Sequence, residues 1–317
     1  MLIRNVLVIG GSGFLGRHVA RQLVAAGFQV RVPTRNRERS KELILLPTID
    51  VVKADVQDDT TLADLVAGSD AVINLVGILH GDFERAHVEL PRRIVAASRE
   101  AGVARLVHVS ALKAAENAPS AYLRSKARGE AQVRAGQAQG LRTTILRPSV
   151  IFGREDRFLN LFARLARSLP VLALAAPGAR FQPVHVNDVA RAVTLALADA
   201  RTFDQDYDLC GPRTYTLREL VEYVVRTLGL RRPVIGLSPA LSMLQAAFLE
   251  HLPGRLMTRD NVRSMQVDNV CECPFPEVFG IDPTPLEAVV PTYIAGVTPR
   301  SRYRWFRFRA RRSIDNK

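Results

Sequence analysis

A doubly wound α/β fold, with a parallel sheet covered on both faces by helices, is what this 317-residue sequence predicts. Three observations predict it. Short, continuous apolar runs alternate with helical patterns through the first half, as expected of strands buried on both faces. The first run leads straight into a glycine-rich turn and an amphipathic helix. After Arg147-Pro148 the rhythm loosens but keeps its own helix-start signals, which predicts a smaller C-terminal α/β domain interleaved with the first.

The strands are expected at 6–9, 28–32, 51–53, 71–75, 106–109 and 144–146. Between them the 3.6-residue period predicts helices near 14–26, 60–67, 86–101 and 122–139. Residues 157–168 read as an amphipathic helix, 182–186 as a strand and 188–197 as the helix behind it. Thr216 and Glu219 form a capping box that opens a helix ending before Gly229. Ser238-Pro239 is an N-cap followed by proline at the first helical position. Residues 1–155 are therefore expected to form the main domain, with 180–212 returning to it. Residues 156–299 form mainly the small C-terminal domain, and 300–317 a basic, aromatic tail.

Composition narrows the class. Hydrophobic residues make up 47% of the chain, a globular proportion. Three cysteines give no disulfide framework, which suits a reducing cytoplasm, and Cys271-x-Cys273 lacks the further ligands a zinc site needs. No signal peptide and no run of about 20 apolar residues is seen. The net charge is +13, and residues 300–317 hold seven arginines and Lys317 against Asp315. Tyr303, Trp305, Phe306 and Phe308 alternate with those arginines. That pattern suits the headgroup zone of an anionic membrane, a solvated tail or single-stranded nucleic acid. Nucleic acid is disfavoured, since no RNA-binding signature accompanies it. Residues 237–252 are apolar nearly all round. They are too short to span a bilayer and are expected to be buried against the second domain; the alternative is an exposed lip against a membrane or partner.

The chemistry begins at Gly10-Gly11-Ser12-Gly13-Phe14-Leu15-Gly16. Glycines 10, 13 and 16, set between a strand and a helix, let a dinucleotide pyrophosphate reach backbone amides. After the second strand, where an NAD site usually has an acid, stands Arg35 with Arg37 close by. An arginine there accommodates a 2′-phosphate, so NADP(H) is expected over NAD(H); the bland alternative is a solvated arginine loop. Asp55 and Val56 follow the third strand, facing the adenine, and Gly77 follows the fourth, where backbone approaches the cofactor. Tyr122 and Lys126 form Y-x-x-x-K on one helical face. The ammonium is expected to lower the phenol's pKa and anchor the nicotinamide ribose, while Tyr122 exchanges a proton with a carbinol oxygen. Ser110, at a strand end, would hold the substrate oxygen. The alternative is a surface tyrosine and a solvated lysine.

These motifs, with the 147–153 segment RPSVIFG and the 184–189 segment VHVNDV, resemble the short-chain dehydrogenase/reductase superfamily in its extended and atypical, epimerase-like branch. The stretch FGREDRFLN (152–160), Tyr122–Lys126 with Gly129-Glu130, and Tyr303-Arg304-Trp305 most resemble the NADPH-holding accessory subunits of respiratory complex I and their bacterial relatives. The resemblance implies a Rossmann domain with tightly held, structural NADP(H). Gly10, Gly13, Phe14, Leu15, Gly16, Arg35, Tyr122, Lys126, Pro148 and Val150 would line the nucleotide. It also implies docking near the quinone region of complex I or on quinone-related membrane proteins, at the inner face of the cytoplasmic membrane. The second reading is an active NADP-dependent epimerase/dehydratase or reductase acting on a carbonyl or quinone-related substrate.

Overall fold

The computed structural model describes residues 3–252 and 256–295; the tail expected at 300–317 lies outside the described residues. The chain opens with β1 (Asn5–Ile9), α1 (Phe14–Ala25), β2 (Gln29–Thr34), a single turn α2 (Lys41–Ile44), β3 (Ile49–Lys53), α3 (Asp59–Val66) and β4 (Ala71–Asn74). A π turn (Arg85–Glu89) runs into α4 (Leu90–Glu100), followed by β5 (Arg105–Val109), α5 (Ala121–Gln137) and β6 (Arg142–Pro148). The second half carries β7 (Ile151–Phe152), α6 (Leu159–Ser168), β8 (Leu172–Leu174), β9 (Arg180–Phe181), β10 (Val184–His185), α7 (Val186–Ala198) and β11 (Gln205–Leu209). It ends with β12 (Tyr215–Thr216), α8 (Leu217–Thr227), β13 (Val234–Gly236), α9 (Pro239–Leu249), α10 (Arg259–Ser264), α11 (Leu286–Val289) and α12 (Pro291–Ile294).

Seven strands form one parallel sheet in the order β11-β6-β5-β4-β1-β2-β3. Alternation along β1 divides the core. Val6 and Val8 join the apolar layer beneath α1 and α7, while Leu7 and Ile9 join the layer beneath α3, α4 and α5. Burying both faces is what makes the strands read as continuous apolar runs. The strand order reverses between β1 and β4, which opens a crevice at the carboxyl ends of the strands.

A second core gathers Phe152, Phe162, Phe181, Tyr215, Leu220 and Val224 from α6, α8 and the short strands. Phe275, Phe279 and Ile281, although late in sequence, pack on the sheet side. The FGREDRFLN stretch proves to be the joint between the two cores. Buried Asp156 accepts from the amides of Gly153 (3.2 Å), Leu159 (2.6 Å) and Asn160 (3.3 Å) and from the Tyr293 hydroxyl (3.1 Å). Glu155 pairs with Arg17 of α1, and a Cβ on Gly153 would press on the Phe14 ring. The capping box at Thr216 and the Ser238 cap both form.

Three expectations change. The strand at 182–186 shrinks to β10, because Pro183 interrupts the ladder and α7 starts at Val186. Helix α9 is not buried: Leu241, Leu244 and Phe248 are 51%, 66% and 68% exposed. Small Ser242 and Ala246, one turn apart, are its buried residues, Ala246 packing with Ala175 and Val262, while Met243 lies partly buried against the same cluster and Gln245 donates to the Ala173 carbonyl at 3.1 Å. Lastly, Cys210 and Cys271 form a disulfide across 61 residues of sequence, with Cα atoms 6.1 Å apart, leaving Cys273 free and exposed. Sequence spacing is silent on this pairing, which arises where the loop through Asn269 crosses the end of β11. The composition argument for a reducing compartment falls with it.

Thiol titration of the denatured, unreduced protein should give one free thiol per chain, and three after reduction. Cross-linking a loop of this length contributes about 4 kcal/mol in the chain-entropy description, so reductant should lower the melting temperature measurably. Three thiols before reduction would refute the pairing.

Candidate functional site

The crevice is built first by the glycine turn. Gly10 takes φ +83°, and a Cβ there would stand 3.1 Å from the Leu75 carbonyl carbon and 3.2 Å from the Val76 amide. A Cβ on Gly16 would overlap the Gly10 carbonyl oxygen, so Gly16 is fixed by helix-to-turn packing. Gly13 is the N-cap of α1 and offers no side-chain cap. A Cβ added there would meet only the Gly10 carbonyl oxygen, at 3.2 Å. The first-turn amides, at Phe14 and Leu15, thus point from an uncapped helix end into space that glycine keeps open. A pyrophosphate fits this cradle.

On the β1–β3 side, Arg35 follows β2, is exposed and makes no ion pair among the described residues. Asp55 follows β3, where its carboxylate accepts from the Gln57 amide at 3.0 Å and shapes the turn beside Val56. On the β4–β6 side, Lys126 is buried rather than solvated. Its Nζ donates to the carbonyls of Val109 (2.9 Å) and Val76 (3.4 Å), and Gly77 lies against it. Burial pulls this lysine down to about 8, with Glu130 opposing the shift. Glu130 itself is held by Arg147 at 2.8 and 2.7 Å.

Tyr122 departs from expectation. Burial pushes its phenol up to about 12, and Lys126 does not bring it down. The ammonium is occupied by the two strand-end carbonyls. The ring packs edge-on to Phe83 (6.1 Å) and His87 (5.6 Å) instead. Ser110 is buried with its Oγ unpartnered; its amide donates to the Leu146 carbonyl at 2.8 Å. No hydrogen bond joins Ser110 to Tyr122 among the described residues. Pro148 ends β6, with its carbonyl accepting from the Leu112 amide at 3.1 Å, and the Val150 amide donates to Asn269 at 3.0 Å.

Four polar residues of the site escape a motif reading. Asn74 lies 3.1 Å from His108, whose imidazole is held neutral by burial and then by Lys126. His87 sits between α4 and α5. Asp260 of α10 accepts from the Ala121 amide (2.7 Å) and the Tyr122 amide (3.0 Å), so α10 clamps the start of the helix that carries Tyr122. Strand-end polarity at Asn74 and His108 is a faint sequence signal. Asp260 gives none, being 138 residues from its partner.

The 3-2-1-4-5-6 strand order, the reversal crevice and the glycine cradle define a dinucleotide-binding protein of the Rossmann type. Comparison with known proteins makes this specific: the chain belongs to the NAD dependent epimerase/dehydratase family, which it matches over residues 6–210. It is 35% identical over 297 residues to NADH dehydrogenase (ubiquinone) 1 alpha subcomplex subunit 9, mitochondrial, of Mus musculus, covering 88% of this chain and 77% of that one. It is 32% identical to a ceramide reductase of Caulobacter vibrioides, covering 73% of each. Among solved structures, the NADPH complex of an Escherichia coli NADPH-dependent quinone oxidoreductase has the same fold. That match has a TM-score of 0.72 and 20% identity and covers 91% of this chain and 99% of the other.

The glycines should separate by role. Gly13→Val should abolish dinucleotide binding, measured by calorimetry, while the protein remains folded. Gly16→Ala should lower stability itself, by about 2 kcal/mol or more, because the overlap is with backbone. Unchanged binding by Gly13→Val would show that the turn does not cradle phosphate.

Proposed function

We propose that this protein holds NADP(H) as a bound, chiefly structural group and serves as an accessory component of membrane-bound respiratory or quinone machinery. The likeness to the mitochondrial NADH dehydrogenase (ubiquinone) subunit along 88% of the chain carries this reading. The site geometry supports it. A phenol held near 12, without a hydrogen bond among the described residues, is poorly matched to proton transfer at neutral pH. The glycine cradle, Arg35 and Lys126 are binding groups that need no turnover. No described helix is long and apolar enough to cross a membrane. Contact with an anionic membrane surface is assigned to residues 300–317, and the exposed apolar side of α9 is in keeping with it.

The preference for NADP(H) rests on Arg35, exposed just after β2 and making no ion pair among the described residues. Calorimetry should find NADP(H) bound more tightly than NAD(H), and Arg35→Asp should narrow or reverse the difference. Equal affinities in the unmutated protein would overturn this assignment.

A second reading, an active NADP-dependent epimerase/dehydratase or reductase, is favoured by the unpartnered, buried Ser110 hydroxyl and by the likeness to a ceramide reductase. When bound, the nucleotide would supply the hydride. Ser110 would hold the carbonyl oxygen, Tyr122 would exchange the proton and Lys126 would anchor the ribose. Tyr122→Phe separates the two readings. On the structural reading, nucleotide content and association with the membrane fraction persist, whereas deleting 300–317 releases the protein. On the catalytic reading, turnover of a defined carbonyl substrate falls about 10²–10⁴-fold. Robust turnover abolished by Tyr122→Phe would overturn the structural reading.

A further inference from the structure

The His87 imidazole belongs to none of the motifs above. It stands on the π turn Arg85–Glu89 and is buried. Its Nε2 accepts from the Ile78 amide at 3.0 Å. A ring nitrogen that accepts carries no proton, so the proton is on Nδ1. Nδ1 donates to Ser125 Oγ at 2.8 Å, and that hydroxyl donates onward to the Tyr122 carbonyl at 2.7 Å. The donor directions agree along the whole chain, so a single tautomer satisfies every group. Burial and the nearby Lys126 hold the imidazole down to about 3, which keeps it neutral at physiological pH.

Packing fixes the ring as firmly as bonding does. It stacks on Phe83 with centroids 5.5 Å apart and planes 17° apart, and meets Tyr122 at 77°. A Cβ on Gly129 would overlap the His87 carbonyl oxygen, which gives the Gly129 of the sequence motif a reason: it lets α5 close on the π turn. One imidazole therefore joins the loop after β4 to the helix of Tyr122 and Lys126.

We propose that His87 is a positioning residue that fixes the nicotinamide end of the dinucleotide site. It does so by tying the Ile78 loop to α5, without itself touching the nucleotide. This rests on the NADP(H) reading above. The two halves of a dinucleotide lie over the two halves of the sheet. The adenosine end, over β1–β3, should thus be indifferent to His87, and the nicotinamide end, beside β4 and β5, should depend on it.

The test uses the full chain and two probes, NADPH and 2′,5′-ADP, which lacks the nicotinamide. His87→Leu, similar in bulk, leaves the Ile78 amide and Ser125 hydroxyl without their partner. It should weaken NADPH about tenfold and reduce the rise in nicotinamide emission on binding, while 2′,5′-ADP affinity stays within about twofold. His87→Gln, which keeps an acceptor and a donor, should recover most of the loss. If His87→Leu does not fold, Ser125→Ala cuts the same chain at its middle link and should show the same selective loss. Equal weakening of both probes, or of neither, overturns the inference while leaving the NADP(H) reading intact. An unmutated protein that binds neither probe overturns both.

Discussion

The close approach of the Gly10 backbone to Leu75 and Val76, at the point where the strand order reverses, is the contact on which the rest of the site depends. It keeps β1 paired with β4 up to Ile9 and Asn74, their last residues. Beyond that point the connections leave in opposite directions, which opens the crevice, directs the first turn of α1 towards it, and brings the loop after β4 within reach of Lys126. A side chain at Gly10 would be strained by its φ of +83° and pressed against the Leu75–Val76 backbone. Lys126 reinforces the contact from below by bonding both the Val76 and Val109 carbonyls.

A second constraint is that the second core and the late loops are tied to the sheet by carboxylates and amides, buried at Asp156 and half-buried at Asp260 and Asn269, as well as by apolar packing. Asp156 gathers three amides and a tyrosine hydroxyl. Asp260 covers the first amides of α5, and Asn269 Oδ1 accepts from Ser149 Oγ at 2.5 Å and from the Val150 amide. Each tie ends beside a segment that borders the crevice. Movement of the second core would therefore be felt at α5 and at the 148–153 segment, where Pro148 and Val150 are proposed nucleotide contacts. Buried polar groups of this kind are costly when left unmatched, which makes the joint specific in its geometry.

The state of Tyr122 follows from competition for one ammonium. In a site tuned for proton transfer, Lys126 would stabilise the phenolate. Here the strand-end carbonyls occupy it, and Phe83 and His87 surround the ring with poorly polar surface. Both effects favour the neutral phenol. A ribose hydroxyl at Lys126, as proposed above, would enter that competition, which is why the phenol variant and the nucleotide content have to be measured together.

The sequence by itself determined the sheet and the phosphate cradle. Both are local: β1, the glycine turn and α1 are one continuous stretch, and strands buried on both faces leave long apolar runs. Arg35 and the Tyr122–Lys126 pair were legible for the same reason, since each is placed by the single element that carries it. Only tertiary structure decided what those groups meet. The π turn that delivers His87 differs from an α-helix by one residue in a bonding pattern, which hydrophobic spacing does not encode. Asp260 reaches α5, Cys210 reaches Cys271, and Asp156 reaches Tyr293 across 61 to 139 residues of chain. The exposure of α9 was likewise hidden, because an apolar helix reads the same whether a neighbour covers it or, as here, Leu241, Leu244 and Phe248 stay exposed. Contacts between distant segments depend on how the two cores dock, and that docking involves polar groups, from buried Asp156 to half-buried Asp260, whose partners are set by geometry and not by spacing.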